Sequence, residues 1–259
     1  MNLNLSGNDN RRTVNVTTAF NTAEFDLAYH DGVESSYWMM ARNRIIYKTI
    51  VKSGLANIPI IEVGCGRGIV TGFLLENKID CIGVELAEIK PMPGLNDKVI
   101  TGKDALDFDS EFRQRFKAIM LLDVIEHIEN DAEFVTKLLQ AYSNVEYLII
   151  AVPARKEVWS NFDNFYRHFR RYDMQMIIEL MGKLNFKIKS KKYFFNLIYL
   201  MIWLQNKFNV KRKLENPRPK GMISTMINKV LAFYFVVEYL IMPWNLYGSS
   251  IMCVACKKK

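Results

Sequence analysis

A chain of 259 residues, half of them apolar and 12% aromatic, has enough nonpolar surface for a full core and is too hydrophobic for a disordered polypeptide. Four cysteines (Cys65, Cys81, Cys253 and Cys256) are too few for a disulfide scaffold of this length, and residues 1–18 lack the apolar run of a secretory signal, so a reducing, cytoplasmic setting is expected. The net charge is +8, but residues 186–220 alone carry ten Lys or Arg against one Glu, so the basic excess is a local feature.

Residues 1–33 read as a flexible arm, and "ESSYWMMARNRIIYKTIVKS" (34–53) has a helical rhythm that Gly54 ends. Apolar strands and helices then alternate. "NIPIIEV" is a buried strand, followed by the helix "IVTGFLLEN", the strand "DCIGVEL", the short strand "KVITG" and the strand "KAIMLLD". "DAEFVTKLLQAYS", with Asp131 near its cap, precedes the strand "EYLIIAVP"; Asp173 caps "MQMIIELMGKL", and Asn185 suits a left-handed position after it. "FKIKSKKYFF" and the final "SSIMCVACK" alternate as strands. Apolar strands separated by helices imply an α/β fold, a parallel sheet covered on both faces. Residues 34–195 plus 249–259 make this domain. Residues 196–248 interrupt it with two apolar stretches, "NLIYLMIWLQNKF" and "MISTMINKVLAFYFVVEYLIM", around the basic link "KRKLENPRPKG". Cys253 and Cys256 form a C-x-x-C with no second pair, in a strand where they face opposite ways, so they predict no zinc site.

The chemistry begins at "IIEVGCGRG" (60–68). A loop between a first parallel strand and its helix meets ligand, and glycines let that ligand touch backbone. No Lys-Ser/Thr pair follows Gly68, which excludes a phosphate loop, and the Gly64, Gly66, Gly68 spacing is one residue tighter than the dinucleotide fingerprint. Glu62 would repel a pyrophosphate and suits an ammonium. Glu85, about twenty residues on at a strand end, can accept hydrogen bonds from two ribose hydroxyls. A ribose with an amino-acid-like cationic end describes S-adenosylmethionine.

The residues here resemble the class I S-adenosylmethionine-dependent methyltransferases. "EVGCGRG" is similar to their first motif, "GVEL" to the second, "GKDALDF" to the third and "IMLLDVIEHI" to the fourth, the last as in small-molecule O-methyltransferases. The resemblance implies a Rossmann-like seven-stranded sheet, mostly parallel with an antiparallel last strand. It implies cofactor contacts from Glu62, Gly64, Cys65, Gly66, Gly68, Glu85, Leu86, Asp104, Ala105 and Asp123, with Asp104 and Ala105 flanking adenine. "SSYWMMARNRII", "VPARKEVWSNFDNFYRHFRRY" and "LYGSSIMCVACKK" further resemble one bacterial subgroup, which implies a tie to cell-surface glycan or lipid-linked biosynthesis.

Methyl transfer is a displacement at a sulfonium carbon, so the protein positions and deprotonates the acceptor. His127, four residues after Asp123, would share a helical face with it, and an unshifted imidazole is a base near neutrality. His168 is the second base candidate, and Asp123 would lie close to the transferred methyl. Arg167, Arg170, Arg171 and Tyr172 follow the fifth strand and should overhang the acceptor; Tyr37, Trp38 and Arg42 should close the pocket from the N-terminal helix. Glu126 and His127 are only two adjacent donors, and no metal is expected.

Each insertion stretch falls short of the ~20 uninterrupted apolar residues that span a bilayer. Ile223, Ile227, Val230, Tyr234, Val237 and Ile241 form one stripe, Glu238 interrupts it, and Trp203, Trp244, Lys and Arg flank the pair. That pattern fits an interfacial element, so a peripheral membrane contact at the inner face, or a lipid-linked acceptor, is expected; a homodimer interface or a plain lid is the alternative. O-methylation of a hydroxylated small-molecule, glycan or lipid-linked acceptor is the leading function. A nucleic-acid methyltransferase lacks support, because neither an Asn/Asp-Pro-Pro-Tyr motif nor a Pro-Cys nucleophile is present. A non-catalytic cofactor-binding module would have lost motif residues, and Glu62, the glycines, Glu85 and Asp104 are all there.

Overall fold

A computed structural model describes residues 22–212, 214, 219, 221–242 and 247–258. Residues 1–21 of the expected arm, most of the basic link and Trp244 lie outside them. Strands β1 (Ile60–Val63), β2 (Cys81–Glu85), β3 (Val99–Thr101), β4 (Ala118–Leu122), β5 (Tyr147–Pro153), β6 (Phe186–Phe194) and β7 (Ser250–Lys257) form one sheet in the order β3-β2-β1-β4-β5-β7-β6. β1 to β5 run parallel, and β7 pairs antiparallel with both β5 and β6. This is the expected seven-stranded, Rossmann-like sheet. Strand order reverses between β1 and β4, and a crevice opens there at the carboxyl ends.

Alternate side chains of each strand feed two cores. Ile61, Val63, Ile119, Leu121 and Ile150 face one layer, which includes the helices α4 (Ser110–Gln114), α5 (Asp131–Ala141) and α7 (Met174–Lys183). Ile60, Ala118, Met120 and Ile149 face the other, which holds α2 (Tyr37–Lys52), α3 (Ile69–Glu76) and α9 (Gly221–Ile241). Ser36 caps α2 by accepting from the Met39 N–H, and Gly54 ends it with φ 75°. Asp173 caps α7 as expected, and Asn185 is left-handed with φ 59°.

Two features differ from expectation. Within the arm, residues 22–28 form α1 (Thr22–Ala28), which packs over the crevice through Phe25 and the following Tyr29. In the insertion, α8 (Asn196–Lys207) and α9 are tied together by the residue that breaks the apolar pattern: Glu238 is buried, and its carboxylate accepts from the Asn196 and Leu197 N–H groups at 2.9 and 3.0 Å. A carboxylate on the free N–H groups of a helix start is favourable in charge as well as in hydrogen bonding. The buried side of α9 holds Asn228, Ala232, Phe235 and Tyr239 against α2, with Tyr37 N–H on Asn228 Oδ1 at 2.7 Å. The apolar stripe points the other way: Ile223 is 78% and Val230 59% exposed.

Candidate active site

Three adjoining cavities open at the carboxyl ends of β1, β2, β4 and β5. The first, about 180 Å³, is lined by Gly64, Glu85, Leu86, Asp104, Ala105 and Ile128 among others. A small one of about 60 Å³ borders Glu62, Gly64, Cys65 and Arg42. The third, about 210 Å³, lies beyond β4 among Tyr37, Trp38, Glu126, His127, His168 and Arg171. Tyr29 and Asp123 line all three, and His127 lines both large ones.

The glycine loop is shaped for close approach. Gly64 and Gly66 have φ 76° and 55°, and a Cβ on them would come within 2.6 Å of Val124 and 2.5 Å of the Tyr29 ring. Glu85 braces the loop: its Oε2 accepts from Gly66 N–H at 2.8 Å and its Oε1 from Ala87 N–H at 3.0 Å. The same carboxylate borders the first cavity, and a carboxylate has acceptor sites for more than two donors. Glu62 lies buried beside the small cavity and accepts from Thr71 Oγ1 at 2.5 Å. Burial raises its pKa to about 7, against the opposing effects of the Thr71 bond and the Arg42 charge. Asp104 caps the 3-10 turn Ala105–Asp107 by accepting from Leu106 N–H, so it forms a turn and borders the first cavity at once.

Asp123 follows β4 with φ 55°, an uncommon left-handed conformation for a residue with a side chain, and of the kind that gathers at functional sites. Its carboxylate meets Arg42 Nη2 at 2.7 Å, and that guanidinium lies 5.2 Å over the Trp38 ring. The expected helical turn from Asp123 to His127 is absent. The chain turns left-handed first, and His127 closes the 3-10 helix Ile125–His127. Nor is its imidazole unshifted: burial and the neighbouring His168 push its pKa down to about 3, so His127 is neutral and a poor proton acceptor.

His168 sits differently. Its Nδ1 lies 2.9 Å from Asp163 Oδ1, and Arg171 Nε donates to the same oxygen at 2.7 Å. Asp163 is fully buried, and its Oδ2 accepts from the Ser160 N–H at 2.8 Å in a capping box that starts α6 (Asn161–Phe165). Burial alone would raise the Asp163 pKa, but the His168 bond and the Arg171 charge outweigh it and hold it at about 2.

Three residues expected over the acceptor are engaged elsewhere and do not line the cavities. Arg167 pairs with Glu24 of α1; Arg170 lies 3.0 Å from Asp131; the Tyr172 hydroxyl is buried, donating to Asp131 Oδ2 at 2.7 Å. Only Arg171 and His168 of that run reach the third cavity, together with Tyr166. Residues missed by sequence reasoning are Tyr29, Asp163 and Arg212. Ser160-x-x-Asp163 carried a capping-box signal; Tyr29 and Arg212 carried none.

The family model described as "Methyltransferase domain" matches residues 38–191, more than half of the chain. The chain belongs to the methyltransferase domain family. It is a methyltransferase, and S-adenosylmethionine is the methyl donor. The site fits that donor: a buried carboxylate stands at each end, a bare backbone loop lies between them, and Leu86, Ala105, Ile128 and Phe134 give the first cavity apolar walls. Among solved structures, 1,6-didemethyltoxoflavin-N1-methyltransferase of Burkholderia thailandensis shares the fold at TM-score 0.54 and 15% identity, over 92% of this chain and 87% of that one. The plantazolicin methyltransferase BpumL does so at 0.52 and 14%, over 92% and 89%. No curated protein sequence matches this methyltransferase.

Proposed function

We propose that this methyltransferase methylates a hydroxyl group of an acceptor bound in the third cavity, and that the acceptor is lipid-linked or presented at a membrane surface. In this reading Glu62 receives the cofactor's ammonium, Glu85 its ribose hydroxyls, and Leu86, Asp104 and Ala105 its adenine. The bond from sulfonium sulfur to methyl breaks, a bond from acceptor oxygen to methyl forms, and the hydroxyl proton leaves toward the protein. S-adenosylmethionine supplies the electrophile, so the chain's own residues orient the acceptor and receive that proton. The observation that carries the reading is the shared wall. Asp123 and His127 front both large cavities, so an acceptor hydroxyl in the third can face the transferred methyl group, with the Asp123 carboxylate beside it to receive the proton. Tyr37 and Trp38 flank the third cavity, while Ile198, Ile202 and Arg212 of the insertion roof it.

The Glu62 assignment has a pH signature. An ammonium pairs with the ionised carboxylate, and in the free protein that form is lost as pH falls through about 7. Affinity for S-adenosylhomocysteine should therefore weaken about tenfold from pH 8 to pH 6, and Glu62→Gln should flatten the profile. Calorimetric titration at the two pH values reads this directly; equal affinities in the native chain would reject the pairing.

The exposed apolar face supports the membrane part. Against the expectation that each insertion stretch falls short of a bilayer span, α9 is 21 residues long and apolar enough to cross a membrane by length and composition, with only 22% of its apolar window buried. Met222, Ile223, Met226, Ile227, Val230 and Phe233 are exposed along it. Near its end, Lys48, Lys52, Lys189, Lys191 and Lys192 line a groove with Tyr239 and Leu240. Lysines beside apolar surface match an anionic bilayer interface, where each contributes about 1 kcal/mol. The intact chain should cosediment with vesicles containing phosphatidylglycerol, and joint Ile223→Glu and Ile227→Glu replacement should weaken this at least about tenfold. Failure of the intact chain to bind would remove the membrane reading; loss of a dimer in the double variant would assign the face to a second copy. With labelled cofactor, the methyl group is expected in organic-extractable material as an alkali-stable ether. Label confined to RNA would overturn the acceptor class.

A further inference from the structure

We propose that Glu126, His127 and His168 bind a first-row divalent cation on the wall of the third cavity. The argument starts at Glu126. Its side chain is fully buried, it borders the cavity, and neither carboxylate oxygen has a hydrogen-bond partner. A buried carboxyl in that condition stays ionised only when something positive meets it. The nearby guanidinium groups do not: Arg42 pairs with Asp123 and Arg171 with Asp163.

Two imidazoles stand beside it instead. The His127 and His168 rings lie edge to face with centroids 4.8 Å apart, and one donor atom from each of the three residues falls within 4.8 Å of the others. Ligands held ~2.1 Å from a common ion are at most ~4.2 Å apart, so side-chain shifts of a few tenths of an ångström would close the site. The Asp163 carboxylate at His168 Nδ1 reproduces the outer arrangement that fixes a metal-bound histidine, leaving Nε2 for the ion. Arg171 and Ser160 lock that carboxylate in turn.

One carboxylate and two imidazoles suit zinc, cobalt, manganese or iron(II) better than calcium, and three protein ligands leave positions open to the cavity. If the third cavity takes the acceptor, as proposed above, an acceptor oxygen would fill one of them. Ion binding itself does not depend on that reading.

The test is titration of the full-length, metal-free chain with Co²⁺, without cofactor, following its visible absorption. Saturable binding of one ion is expected, with zinc competing for the site. Glu126→Gln should lower affinity at least about tenfold while leaving the fold intact, because it replaces an unpaired carboxylate with a neutral group of the same shape. His168→Asn should act in the same direction. No saturable signal at millimolar cobalt, or equal binding by Glu126→Gln and the native chain, would overturn the site. Titration of the same samples with S-adenosylhomocysteine separates this failure from failure of the cofactor assignment, since Glu126 borders the acceptor cavity and not the cofactor cavities.

Discussion

Replacing Glu85 with alanine is expected to weaken S-adenosylhomocysteine binding by at least about a hundredfold and to loosen the glycine loop with it. The carboxylate has two tasks. It accepts from the backbone N–H groups of Gly66 and Ala87, and it borders the first cavity, where two ribose hydroxyls would be held. Hydrogen bonds to a charged group contribute about 1.5–3 kcal/mol each, so the loss of both ribose contacts alone accounts for two orders of magnitude. The alanine variant also leaves the Gly66 N–H without its acceptor at the point where backbone must approach the ligand. Calorimetry measures the affinity, and thermal unfolding without ligand measures the loop contribution. Unchanged affinity would mean that the ribose lies elsewhere and that Glu85 serves only the loop. Glutamine at the same position keeps one acceptor oxygen and should fall between the two, which separates hydrogen bonding from simple space filling.

Most of the sheet could be read in advance because its central strands are almost wholly apolar. "AIMLL" and "LIIAV" have no polar face to hide, "IIEV" departs from this only at Glu62, and a parallel sheet buried on both sides accepts such segments. The proposed cofactor end could be outlined for a related reason: loop glycines and strand-end acids are local in sequence, and β1 and β2 set their positions directly. The acceptor side could not. Whether Arg170 and Tyr172 reach a ligand is decided by Asp131, some forty residues away, which holds both of them outside the cavities. His168 gains its importance from Asp163 and from proximity to His127, neither of which spacing reveals. The α9 stripe carried the same ambiguity. Periodicity identified Ile223, Ile227 and Val230 as one face, but the side that packs on α2 is the one bearing Asn228 and Phe235. A helical period says which residues share a face, and the partner decides which face is buried.

The Asp163→Asn variant should cost the enzyme at least about tenfold in methyl transfer and lower its melting temperature by about 10 °C. Asp163 carries no contact with the cavities; it acts through its neighbours. Its Oδ1 faces both His168 Nδ1 and Arg171 Nε, and its Oδ2 accepts from Ser160 N–H at the start of α6. An amide of the same shape keeps the volume but removes the charge, so Arg171, itself buried, is left without a counter-ion. Breaking a buried pair from one side costs about 3–5 kcal/mol, and about 2–4 °C accompanies each kcal/mol in a domain of this size. The loss in activity comes from the imidazole: once its carboxylate partner is gone, His168 can reorient, and second partners of this kind are worth about 10–100-fold. Acid provides an independent check. The Asp163 pKa is held at about 2, below its ordinary value, so the contribution is present above the unfolded value near ~3.9 and is lost as pH falls toward about 2. The native chain should lose stability steeply across that interval, and the asparagine variant less so. A variant that melts like the native protein, with unchanged turnover, would mean that neither Arg171 nor His168 depends on this carboxylate. A variant that melts normally but turns over slowly would confine the role of Asp163 to orienting the ring.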